Sequence, residues 1–125
     1  MWIYDQASGK LYAPTGTFVA QGYAGGNGGH NPEGINNHAL QSVKSVGPLP
    51  VGVYDFGEVV LQSKLGPFAI PLIPHTDNEM FGRGHFYIHG DTNPSGKASE
   101  GCIIQARAIR ELIYNSDYKQ IVVIG

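Results

Sequence analysis

The stretch His85-Phe86-Tyr87-Ile88-His89, followed by Gly90, is a β-strand by composition. Aromatic and β-branched side chains suit a pleated, half-buried surface. A period of two puts His85, Tyr87 and His89 on one face and Phe86 and Ile88 on the other. A turn-rich excursion from Gly90 to Gly96 follows, and then Ser99-Glu100-Gly101-Cys102-Ile103. A strand that ends on a histidine, a long loop and a returning Gly-Cys together imply a sheet with chemistry at its rim.

Strand signals continue on both sides. Trp2 to Tyr4 and Lys10 to Ala13 flank a turn built from Asp5, Ser8 and Gly9. Thr17 to Tyr23 reads as one further strand, and Val51 to Leu61 as strand structure interrupted near Gly57. Phe68 to Ile73 continues the pattern, but Pro71 lacks a donor and predicts an edge or bulged position. The apolar run Ile121-Val122-Val123-Ile124 predicts a central, buried closing strand over Gln120–Ile124.

Helical signals are few. Ala106 to Tyr114 is the best helix, with Ile109, Leu112 and Ile113 on its apolar face and Arg107, Arg110 and Glu111 outside it. Asn36 to Ser45 predicts a second, short helix. Ala24 to Gly34 is glycine-rich and predicts a loop, either mobile or bordering a groove. It lacks both the P-loop lysine and the GxGxxG spacing. Gly47-Pro48-Leu49-Pro50 is a rigid turn. The expected fold is mainly β, with one principal helix, in a single domain over residues 1–125.

Composition narrows the function. Glycine (18 residues) and proline (8) are frequent while 42% of the chain is hydrophobic, the balance of a folded, loop-rich β protein. The net charge of -2 is spread singly, without a basic patch for nucleic acid or a membrane surface. No apolar run reaches membrane-spanning length, and the opening Met1-Trp2-Ile3-Tyr4-Asp5 does not read as a secretory signal. The expectation is a protein made in the cytoplasm without a signal peptide.

The only cysteine, Cys102, forms no internal disulfide. A lone cysteine is ordinarily a small buried hydrophobe. A nucleophilic thiol needs a base or a pKa-lowering environment, and histidine suits the first task near neutral pH. Cys102 follows His89 by thirteen positions, long enough for the loop to bring the two together. The amides near Gly101 and Cys102 are candidate oxyanion donors, and a helix starting just after Cys102 would add positive potential.

Phe86-Tyr87-Ile88-His89-Gly90-Asp91 with Ala98-Ser99-Glu100-Gly101-Cys102-Ile103 resembles the L,D-transpeptidase motif of His-Gly, a variable loop, and Ser/Thr-His-Gly-Cys. It is more similar still to the L,D-transpeptidase-like effectors of type VI secretion. Trp2-Ile3-Tyr4-Asp5, Tyr23-Ala24-Gly25, Gly47-Pro48-Leu49-Pro50-Val51-Gly52 with Tyr54, and Arg83 extend the likeness in order along the chain. The resemblance implies an L,D-transpeptidase-like β-sandwich or barrel. It implies Cys102 as nucleophile, His89 as general base and the Gly90 carbonyl as orienter of the His89 ring. It implies peptidoglycan stem tetrapeptides as substrate, cleaved or exchanged through a Cys thioester without cofactor or metal. It further implies a secretion-system carrier, delivery to a target-cell periplasm and a cognate immunity protein.

Two departures stand out. The ordinary enzymes carry a second His where this chain has Glu100, and often an Arg where it has Ile104. Glu100 is expected to point outward or to contact a substrate amine. Arg83 is the candidate replacement for carboxylate binding. Asp91 is expected to shape the loop, Ser99 to bond the backbone around the thiol, and Tyr87 to line the groove.

Three other readings compete. His75, His85, His89, Asp91 and Cys102 are possible metal ligands, but His85 and His89 lie roughly 13 Å apart along a straight strand. A non-enzymatic phage-tail or secretion-apparatus protein would fit the small β-rich body. Papain-like chemistry would place Cys before His, the reverse of the order here.

Overall fold

The computed structural model describes residues 1–125. Nine strands form one sheet: β1 (Trp2–Asp5), β2 (Lys10–Tyr12), β3 (Phe18–Gln21), β4 (Tyr23–Ala24), β5 (Gly52–Phe56), β6 (Ile70–Pro74), β7 (Phe86–His89), β8 (Ile103–Ile104) and β9 (Gln120–Ile124). A single α-helix, α1 (Arg107–Asn115), joins β8 to β9. The sheet order is β3-β2-β1-β9-β5-β6-β7-β8-β4.

That order closes the sheet. β3 and β4 stand at its opposite ends, yet only Gly22 separates them in the chain. The two ends must therefore meet, and the sheet curls into a near-barrel with one principal helix, the predicted class. Gly22 is the pivot that splits the expected Thr17–Tyr23 strand in two. A Cβ there would stand 2.1 Å from the Ile104 carbonyl oxygen, so no larger residue fits without a shift.

The closing strand is central, as its apolar run predicts. β9 lies between β1, with which it runs parallel, and β5, with which it runs antiparallel. Tyr4, Leu11, Tyr54, Ile70, Ile88, Ile103, Ile121 and Val123 turn inward as one buried cluster. Each of the aliphatic side chains among them contributes about 1.5–3 kcal/mol relative to exposure. Helix α1 adds Ile113 to that cluster, with Ile109 one turn earlier packed against it.

The structure corrects three expectations. Strand β6 is interior, between β5 and β7, despite Pro71. Pro71 lies past the last β5 pair, Phe56–Leu72, and its carbonyl accepts from the Gly57 amide at 2.9 Å. The donor it lacks would face that same side, where β5 has ended, so the ladder to β7 loses nothing. In place of a helix over residues 36–45 there is one 3-10 turn, His38–Leu40, started by the Asn37 side chain accepting from the Ala39 amide. On α1, Arg110 is buried and Leu112 is half exposed, the reverse of the expected arrangement.

Candidate active site

Strands β7 and β8 run parallel, with Ile88 opposite Ile103 and His89 opposite Ile104. Parallel neighbours need a crossover of about a dozen residues, and the excursion after His89 provides it. One step back along the register sets Cys102 beside Tyr87, whose amide donates to Cys102 Sγ at 3.3 Å. Tyr87 and His89 are two residues apart on one strand, so the thiol comes up beside the strand that ends on the histidine. Cys102 and His89 line the same cleft, of about 470 Å³.

The His89 ring is fixed from behind. Its Nδ1 lies 2.9 Å from the Gly90 carbonyl oxygen. A carbonyl only accepts, so Nδ1 carries the proton, and in the neutral ring Nε2 keeps its lone pair. Burial holds the His89 pKa below the ordinary histidine value, and Arg110 pushes the same way against the Gly90 carbonyl and Asp91. Burial pushes the Cys102 thiol up to about 11, Glu100 adds to that, and the Tyr87 amide and Arg83 oppose it. At neutral pH the pair is a neutral thiol and a neutral imidazole.

A family model, the Tlde1 domain, matches residues 20–123, a span that takes in both halves of this site. The chain belongs to the Tlde1 domain family. This is an L,D-transpeptidase-like family associated with type VI secretion effectors, in agreement with the resemblance read from the motif. Membership supports an L,D-transpeptidase-like enzymatic role connected with peptidoglycan. A comparison with curated proteins returned no match. No helix of this Tlde1 domain is long and apolar enough to cross a membrane.

The loop that carries the thiol is tied down at Ser99. Its buried hydroxyl accepts from the Gly25 amide at 2.8 Å and the Gly101 amide at 3.0 Å, and donates to the Cys102 carbonyl at 2.6 Å. The glycine-rich segment is therefore a buttress: Gly25 and Gly28 both bond Ser99, and Gly26 bonds the Val46 carbonyl. Gly101 is required where it stands. Its φ is +131°, and a Cβ would lie 2.6 Å from Arg83 Nη2 and 2.7 Å from the Phe86 ring.

Arg83 lines the cleft, but its guanidinium is engaged with the main chain. Nη1 donates to the Gln41 and Pro48 carbonyls, and Nη2 to those of Gly47 and Glu100. It sits over the Phe86 ring with 5.2 Å to the centroid. Asp91 organises the crossover: it accepts from the Thr92 and Gly96 amides, the Ser95 hydroxyl and the Tyr23 hydroxyl. Glu100 is exposed at the rim of the cleft. Tyr87 is half-buried and its side chain lies outside the residues lining the cleft.

Two electrostatic expectations change. The Gly101 amide is committed to Ser99 and is not a free oxyanion donor. Helix α1 begins at Arg107, after β8, so its first turn does not follow the thiol directly. No three His, Cys, Asp or Glu side chains gather closely enough to hold a metal ion.

Sequence reasoning missed Lys44, an exposed cation on the cleft. It missed the Tyr23 hydroxyl as well, which bridges Asp91 to the Ala98 amide and so ties the crossover at both ends. A lone lysine in a stretch read as helix carries no signal of its own. Tyr23 stood within a recognisable motif, but its partner lies 68 positions away.

Proposed function

We propose that this Tlde1 domain is a cysteine-dependent L,D-carboxypeptidase and L,D-transpeptidase acting on peptidoglycan stem tetrapeptides. The observation that carries the reading is the shared cleft of Cys102 and His89, with Nδ1 held by Gly90 and Nε2 free of protein partners. Cys102 Sγ attacks the carbonyl of the third stem residue as His89 Nε2 takes the thiol proton. The tetrahedral oxyanion gains the Cys102 amide as a donor and then collapses. The C–N bond to the terminal D-alanine breaks, and the imidazolium returns its proton to the departing amine. Water resolves the thioester in hydrolysis, and an incoming amine resolves it in exchange or cross-linking.

With both partners neutral at rest, the thiolate forms during attack instead of standing preformed. Lys44, exposed at the cleft, is the free cation placed to meet a substrate carboxylate, since Arg83 is bonded to four carbonyls. In this proposal the substrate amine meets Glu100, which is exposed on the cleft. We further propose an antibacterial effector carried by a secretion system to the target-cell periplasm, with an immunity protein guarding the producer; the family's association with type VI secretion effectors is what supports the effector part.

Incubation with tetrapeptide muropeptides, followed by mass spectrometry of the products, tests the proposal. Tripeptide or exchanged products are expected from the native chain and none from Cys102→Ala or His89→Ala. Unchanged turnover in Cys102→Ala would sink it.

A further inference from the structure

Two imidazoles bracket the thiol. The β7–β8 register sets Cys102 beside Tyr87, and His85 and His89 stand two residues to either side of Tyr87. Both histidines line the cleft that holds Cys102. They are otherwise unlike. His89 is 3% exposed and its Nδ1 is engaged with the Gly90 carbonyl. His85 is exposed on the cleft, and neither of its ring nitrogens has a protein partner. Its backbone is also unusual. The φ of His85 is +61°, in the left-handed region that residues with side chains seldom occupy and that recurs at functional sites. Strand β7 takes up its ladder only at the next residue, Phe86.

The charged groups that share the cleft with the two imidazoles and the thiol are Lys44, Arg83 and Glu100. Lysine and arginine are cations at neutral pH, and a carboxylate is a weaker base than an imidazole. Histidine is the side chain matched to proton uptake near pH 7. An exposed imidazole can then hand its proton on to solvent.

The two ways of resolving a thioester differ by one proton. Water already carries a lone pair. It loses a single proton to His89, which returns it to the departing sulfur, leaving a carboxylic acid and a thiol. An α-amino group titrates at about pH 8, so an amino-acid acceptor arrives at neutral pH largely as an ammonium ion. Its conversion to an amide removes two protons from nitrogen. One passes through His89 to sulfur. The other has to leave first, because the ammonium nitrogen has no lone pair with which to attack.

We propose, resting on the thioester reading above, that His85 takes that first proton from an incoming ammonium acceptor and so favours exchange over hydrolysis. The freed amine attacks the thioester carbon, the C–S bond breaks, and His85 releases its proton to water.

The test compares the native chain with His85→Asn, since asparagine tolerates the left-handed backbone and lacks the base. Each is incubated with a tetrapeptide muropeptide, with and without D-methionine, from about pH 6 to pH 10. Tripeptide and exchanged tetrapeptide are quantified by mass spectrometry. At neutral pH the ratio of exchanged to hydrolysed product is expected to fall at least about tenfold in His85→Asn. Tripeptide formation without D-methionine is expected to be unchanged. As the pH passes the titration of the acceptor amine the two chains should converge, because a free amine needs no such base. An unchanged ratio at neutral pH, an equal loss of hydrolysis, or a deficit that persists in alkaline solution would each overturn the proposal. Tripeptide without exchanged product from the native chain would overturn it and leave the thioester reading standing; absence of both products would overturn both.

Discussion

Two buried arginines stand on either side of the β7–β8 pair. Arg83 precedes β7, and Arg110 lies on the helix that follows β8. Neither forms an ion pair; each satisfies main-chain carbonyls instead. Their fields act on different halves of the site. Arg83 draws the Cys102 thiol down, against its burial. Arg110 draws His89 down, in the same direction as burial. One cation thus opposes the burial that raises the thiol pKa, and the other adds to the burial that keeps the imidazole neutral. A buried guanidinium here fastens a loop and sets the electrostatics of the neighbouring group at once.

The comparison breaks most readily at Arg83. Arg83→Leu leaves four carbonyls without their donor, and a loss of about 4 kcal/mol or more is expected in denaturant unfolding. Cys102 alkylation in the variant, measured under folding conditions against pH, should need still more alkaline solution than the native thiol. Arg110→Leu is expected to cost about 3 kcal/mol, from three carbonyls. Its signature is different: removing the cation lets the His89 pKa rise. The proposed mechanism requires neutral His89, so the acid limb of kcat/KM should move to higher pH. An unmoved limb in a folded variant would remove Arg110 from the electrostatic account.

Smaller effects sharpen the contrast. Ser99→Ala removes one hydroxyl that serves three backbone groups, and about 1–3 kcal/mol is expected, with slower turnover as the thiol loop loosens. Arg107→Ala sits one turn from Arg110 but breaks a half-exposed pair with Glu111 and a contact over the Phe68 ring, 4.9 Å to its centroid. Its stability should change by less than about 1 kcal/mol in thermal unfolding. A loss as large as that of Arg110→Leu would show that burial is not what separates the two.

Much of the frame was legible in the residues. The closing strand declared itself by four consecutive apolar residues, and β7 by its aromatic and β-branched alternation. The His89-Gly90 and Gly101-Cys102 pair was legible as a motif. What escaped was set by partners distant in the chain. Arg110 reads as a surface residue on a helical wheel, since the carbonyls of Pro67 and Phe68 that hold it are more than forty positions away. Pro71 reads as an edge signal because the register that sets it just past the end of β5, at the Phe56–Leu72 pair, is not written around Pro71 itself. Gly22 gives no sign that the sheet closes on it. The glycine-rich segment resembles a mobile loop until Ser99 is seen to bind it.

The central claim is that Cys102 forms the covalent link to substrate. The most direct measurement is intact-protein mass spectrometry of the native chain, acid-quenched during turnover of a stem tetrapeptide. The account predicts one added acyl-tripeptide mass on Cys102, with D-alanine released, and no adduct in Cys102→Ala. Steady turnover by Cys102→Ala, or a native adduct mapped to any other residue, would contradict it.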